Sequence, residues 1–255
     1  MARETAQWFF TPQRPQYKSR EAFQGQFFTT SSIESVADSV VREAVQNTLD
    51  AHDGSSDRPL IVFRLHSTPG LPTVDVAPFL DGLWPHLEAC KEGASDLQEN
   101  GHCPTLVIED FNTRGLVGDP ARWREPEDKR TNDFYYFFRA EGKSSKSGAT
   151  RGSWGIGKFT FVQASEVNTF FGFTHRIGPE NQPGGPGPLV MGEAIMASHM
   201  LDGEAFTPDG WWAVNARIDG FETPMPATAG EQARRFESVF KLERRDQPGL
   251  SVVVP

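Results

Sequence analysis

The chain opens without a regular alternation of apolar and polar positions. Residues 1–30 mix Gln, Arg, Pro and Phe, and Trp8, Phe9, Phe10, Phe23, Phe27 and Phe28 must pack somewhere. This stretch reads as an N-terminal arm lying on its own body or on a partner. From Ser31 or Ser32 the pattern turns helical, with serine as N-cap and Glu34 in the first turn. It runs to about Ala51 and stops at His52-Asp53-Gly54. Short apolar runs at 59–66 (PLIVFRLH) and 105–110 (TLVIED) predict strands, the second ending on two carboxylates. Turn residues and a short helix at 78–91 separate them. Residues 112–153 are loop-like and charged, interrupted by the aromatic stretch 134–138. A helix is expected at 156–165, then strands near 167–175, 189–197, 211–218 and 249–254, with 178–188 (GPENQPGGPGP) as a loop. There is no internal repeat. The ending on an apolar strand, SVVV, suggests the front part of a longer polypeptide.

Composition narrows the function classes. Hydrophobic residues make up 37% and charged residues 23% of 255, ordinary globular proportions that exclude wholesale disorder. The 25 Lys+Arg against 34 Asp+Glu leave a net charge of −9. That balance lacks the footprint of a protein coating nucleic acid or anionic lipid, although a local basic patch stays open. Cys90 and Cys103 make neither a disulfide framework nor a CxxC knuckle, and the six histidines form no HExxH pattern. No apolar run approaches ~18 residues and no signal-peptide core is present, so a soluble, cytoplasmic protein is expected.

Three segments could carry chemistry. On the first helix, at about 100° per residue, Glu43, Asn47 and Asp50 share a narrow strip beside the face formed by Ile33, Val40, Ala44 and Ala51. Ser35, Ser39, Arg42 and Gln46 occupy the opposite border, facing water. The strip is either the polar edge of an ordinary helix or a site for a cation or ligand, because buried carboxylates need partners. The second segment is Arg151-Gly152-Ser153-Trp154-Gly155-Ile156-Gly157-Lys158. Its glycines either make a plain turn or bring backbone N–H groups and a helix N-terminus to an anion. It also fits GxxxxGK of a P-loop, but Phe159 stands where Ser/Thr should bind magnesium, and KSSKSGATR before it is not a buried strand. The third is Asp110-Phe111-Asn112-Thr113-Arg114-Gly115, a strand-end acid followed by a turn. Asp110 could accept a hydrogen bond from a ligand amine or serve as a turn residue.

Together and in this order, the segments resemble the GHKL ATPase superfamily, which includes type II topoisomerase ATPase domains, heat-shock-type chaperones, histidine kinases, MutL and MORC proteins. Glu43-x-x-x-Asn47-x-x-Asp50-Ala51 matches the family's ExxxNxxDA helix, and Gly152-x-x-Gly155-x-Gly157 its GxxGxG motif. Gly249-Leu250-Ser251 is similar to its late glycine-threonine motif, with Ser251 or Leu250 in place of the usual residue. The family's DxGxG departs here, with Asn112 at the first glycine and Gly115 displaced by one residue. The resemblance covers 31–255 and implies a Bergerat fold: an α/β two-layer sandwich, a mixed sheet with helices on one face, and an ATP lid over about 112–155. It implies ATP and Mg²⁺ as ligands. Asn47 would hold the metal, Glu43 would orient or deprotonate the attacking water, and Asp110 would accept from the adenine amino group. Asp50 would support the pocket. Gly152, Gly155 and Gly157 would cradle phosphates with Lys158 adding charge, and Gly115 and Ser251 would line the nucleotide. The implied function is slow ATP hydrolysis driving a conformational cycle or a homodimerisation on ATP binding, with client or effector undefined. A non-hydrolysing nucleotide-sensing module is the alternative, and a MutL- or MORC-like DNA-processing or defence ATPase the alternative setting.

Overall fold

A computed structural model describes residues 5–20, 35–52, 54, 57–90, 101–125, 132–141, 157–178, 185, 187–228 and 230–255. Helix α1 spans Val36–Asp50 and starts later than the serine pattern at 31–32 suggests. Its cap is Ser35, whose hydroxyl donates to Asp38 Oδ2 at 2.8 Å and accepts from the Asp38 N–H at 3.1 Å. This reciprocal S-x-x-D pairing satisfies an orphan donor of the first turn. Ser39, expected on the water side, is buried with its hydroxyl on the Ser35 carbonyl, and Val40, Ala44 and Thr48 form the inward face.

The strands are β1 (Gln7–Pro12), β2 (Leu60–Pro72), β3 (His102–Phe111), β4 (Thr169–His175), β5 (Leu189–Ile195), β6 (His199–Leu201), β7 (Glu204–Ile218), β8 (Phe221–Met225) and β9 (Gly249–Val254). They form one nine-stranded sheet in the order β1-β7-β5-β4-β9-β3-β2, with β6 and β8 also paired to β7. Every pairing is antiparallel. This overturns the expected two-layer Bergerat sandwich with a mixed sheet. The architecture is richer in β-structure, and helices cover both faces. Residues 7–12 of the arm lie on their own domain as the strand beside β7, burying Trp8 and Phe10.

Strand alternation divides the core in two. Ile108 of β3, Phe170 of β4, Met191 of β5 and Leu250, Val252 and Val254 of β9 point to one face. There they meet Val40 and Ala44 of α1 and Phe161 and Val162 of α4 (Gly157–Ala164). Val107, Phe171, Phe173, Val190 and Val253 point to the other face. They pack under α2 (Thr73–Leu80), α3 (Trp84–Cys90) and α5 (Glu231–Val239). The single helix expected at 78–91 is two, broken at 81–83. Helix α5, β8 and β1 had no sequence counterpart.

The expected lid over 112–155 is described at 112–125 and 132–141; residues 126–131 and 142–155 lie outside the described residues. Its described part is built into the core rather than laid over it. A π-helical turn at Tyr135–Arg139 buries Phe138, and Phe134 before it is buried as well. Arg139 donates to the carbonyls of Pro120 and Pro224, both at 2.6 Å, and Arg176 donates to that of Gly118 at 2.7 Å. Among the described residues no helix is long and apolar enough to cross a membrane.

Candidate functional site

A cleft opens between α1 and the sheet at the C-terminal end of β3. It is lined by Ala44, Asn47 and Thr48 of α1, Ile108 and Asp110 of β3, Phe161 of α4, and Leu250 and Val252 of β9. As it stands the cleft is tight, with a cavity volume of about 10 Å³, room for about one water molecule and far below the ~300–1,000 Å³ of ligand pockets. The walls are mostly apolar, with three polar side chains among them: Asn47, Asp110 and Thr48, whose hydroxyl donates to the Ala44 carbonyl at 2.9 Å.

Asp110 is nearly fully buried. Its Oδ1 accepts from Thr113 Oγ1 at 2.6 Å and from the Leu250 N–H at 2.7 Å. Both bonds fall on one oxygen, and the residue lines the cleft. Burial pushes the carboxyl's pKa up, while Arg244, Thr113 and Leu250 pull it down. The following turn takes the shape that the divergent motif had put in question. Asn112 adopts φ 59° and Gly115 φ 68°, left-handed positions that asparagine tolerates and glycine favours. A Cβ on Gly115 would run into the His175 carbonyl. The Arg114 N–H bonds the Ala51 carbonyl at 2.8 Å and Arg114 Nη1 the Asp50 carbonyl at 2.8 Å, tying this turn to the end of α1.

On α1, Asn47 Nδ2 donates to Glu43 Oε1 at 3.0 Å. Glu43 in turn abuts the first residue of α4: a Cβ on Gly157 would overlap its carboxylate. Glycine is what lets the two helices close to this distance. The Glu43 charge thereby sits against the start of α4, where a helix favours an anion.

Asn47 and Asp110 thus share the cleft, with Glu43 and Gly157 joined to it through Asn47. Asp50 stands one turn further along, exposed, with Gln46 Nε2 3.5 Å from its Oδ2. Gly115 shapes the turn without lining the cleft. Lys158 is directed elsewhere: buried, its Nζ lies 2.9 Å from Glu193 Oε1 and 3.2 Å from the Phe138 carbonyl. Burial pushes Glu193 up to about 7 against the pull of Lys158, and the Lys158 side chain is engaged with this core carboxyl. Ser251 lies on the opposite face of the sheet, donating to Glu109 Oε1 at 2.8 Å; by strand parity it is Leu250 that faces the cleft. Gly152 and Gly155 lie outside the described residues.

Phe161 was not singled out in the sequence, Thr113 was noted only as part of the turn after Asp110, and Leu250 stood as the alternative to Ser251. Only Thr113 carried a local signal, its i+3 spacing from Asp110, typical of a side-chain turn bond. A resident metal of several acidic or histidine ligands has no counterpart: among the described residues no group of three or more His, Cys, Asp or Glu could hold one. Asn47 nonetheless fits a magnesium shared with phosphates. With its Nδ2 donating to Glu43, the amide presents a hard carbonyl oxygen, and Mg²⁺ takes few protein ligands when phosphates supply others. No family model matches the chain, and no curated protein or solved structure matches it either.

Proposed function

We propose that the cleft binds ATP with Mg²⁺ and that the protein hydrolyses it slowly. The observation that carries this reading is Asp110: a buried carboxyl, one oxygen of which is held by Thr113 and Leu250, lining a mostly apolar cleft. Such a group accepts a hydrogen bond from an amino-bearing ring while the walls cover the ring's faces. Asn47 would hold Mg²⁺, which supplies charge neutralisation for the phosphates. Glu43, hydrogen-bonded to Asn47, is placed to orient or deprotonate a water beside them. Phosphoryl transfer needs positioning and charge stabilisation more than covalent chemistry, and these residues offer both without Lys158 or Ser251. Because the cleft is narrow, full entry of a nucleotide widens the space between α1 and α4.

Calorimetry with Mg·ATP tests the reading. Wild-type protein is expected to bind, and Asp110→Ala to bind at least tenfold more weakly while remaining folded. Absence of any heat or thermal shift with ATP, ADP and a non-hydrolysable analogue would end it.

A further inference from the structure

Behind Asp110, on the other face of the sheet, Arg244 is completely buried. Its Nε donates to Ser251 Oγ at 2.9 Å and its Nη1 to the Gln247 carbonyl at 3.3 Å, while Nη2, shielded from water, meets no acceptor. The Phe111 ring lies 5.2 Å from the guanidinium carbon. Residue 249 is glycine at φ 139°. A Cβ there would overlap Arg244 Nη1, the Asp110 carbonyl and Asp110 Oδ1 together. The missing side chain is the gap through which guanidinium and carboxylate face each other. Arginine so deeply buried with an unspent donor is a poor stability device. Its charge acts on what stands across the gap.

We propose that Arg244 is a positioning residue of the cleft, whose guanidinium, facing Asp110 across Gly249, favours the form of the Asp110 carboxyl that accepts a hydrogen bond from the ligand. The surroundings of Asp110 leave this work to Arg244. From α1 the cleft presents neutral Asn47 and Thr48, from α4 Phe161, and from β9 Leu250 and Val252. Glu109, the neighbour on β3, opposes ionisation, and burial opposes it more strongly. Arg244 is the largest influence in the other direction. Burial lowers the pKa of Arg244 itself, and Asp110, Glu109 and Glu237 of α5 work against that. Burial, and after it Arg244, also lowers His175 of β4, where Asp246 works the opposite way. Ser251, read from sequence as a nucleotide contact, has a different part here: it anchors the guanidinium by accepting from Nε.

The proposal rests on the ATP reading for the identity of the ligand alone, since ionisation is a property of the free protein. The test is a carbon-13 NMR titration of the Asp110 carboxyl, assigned with Asp110→Asn, alongside ATP affinity against pH. In Arg244→Gln the Asp110 midpoint is expected to rise by at least one pH unit, a tenfold change in its protonation equilibrium, and ATP affinity to fall increasingly as pH is lowered. Arg244→Lys, which keeps the charge, is expected to stay near wild type. If Arg244→Gln does not fold, Ser251→Ala, which releases the guanidinium from its anchor, is expected to raise the midpoint by a smaller step. An unmoved midpoint in whichever of the two folds would overturn the proposal, as would equal shifts in the Gln and Lys variants. A shifted midpoint in a protein that does not bind ATP would uphold Arg244 and end the ATP reading; ATP binding with an unmoved midpoint would do the reverse.

Discussion

Under α2 and α5, one face of the sheet is filled with rings: Phe236 lies 5.2 Å from Phe79, 5.4 Å from Phe171 and 4.5 Å from Phe240 between ring centroids. On the other face, at the end of β3, the packing stops short, leaving a cleft with Asn47 and Asp110 among apolar walls. The same strands build both. Glu109 and Asp110 are consecutive, yet Glu109 is enclosed by Arg64, Ser251 and the Glu243 N–H on both of its oxygens, whereas Asp110 is bonded through Oδ1 by Thr113 and Leu250 and lines the cleft. The contrast is between an acid closed in by its partners and one that borders a gap. Substitutions in the two regions should therefore fail differently.

The largest stability effect is expected in the ring layer. Phe236→Ala leaves a void among at least five aromatic neighbours and should cost about 3–5 kcal/mol, read by urea denaturation, with nucleotide affinity unchanged in the fraction that folds. Next comes the turn after Asp110. Gly115→Ala sets a Cβ against the His175 carbonyl at positive φ and should cost roughly 1–3 kcal/mol. It should also weaken ATP binding, because the same turn positions Thr113. A loss of stability with unaltered affinity would detach the turn from the cleft.

The smallest effect concerns pH. His86 Nδ1 meets His199 Nε2 at 2.7 Å, and His199 Nδ1 lies 2.9 Å from the Ala197 carbonyl. That carbonyl only accepts, so His199 donates from Nδ1 and His86 donates to its Nε2. Burial, and then His199, lower His86 to about 4 from 6.5. Between these values the unfolded chain binds the proton and the folded one does not, so stability falls as pH drops from about 6.5 towards 4. His86→Gln should flatten that part of the difference in urea midpoints. An unchanged slope would mean that the pair carries no such load.

What could be read from the sequence follows the range of the interactions involved. The Glu43-Asn47 pairing was legible because helical period alone sets it, and Asp110 because an apolar run ended on it. The bond of Lys158 to Glu193 gave no local sign, because Glu193 arrives from a strand 35 positions away. Ser251 and Leu250 stood as alternatives, and only the pairing of Glu109 with Ser251 fixes which of them faces the cleft. The sheet's antiparallel order was hidden because strand direction depends on connections, and residues 112–153 carry no periodicity to reveal them. Arg244 sits in a polar turn, ERRDQPG, where nothing local marks one arginine for complete burial.

If the cleft binds and hydrolyses ATP as proposed, binding and chemistry fall to different residues within it, and single-turnover hydrolysis measured beside ATP affinity in Glu43→Ala decides the point. Glu43 touches Asn47 and the start of α4 but does not line the apolar part of the cleft. The expected result is an affinity within a few-fold of wild type and a hydrolysis rate lower by roughly 10²–10⁴, the usual worth of a general base. Hydrolysis by Glu43→Ala at the wild-type rate would contradict it.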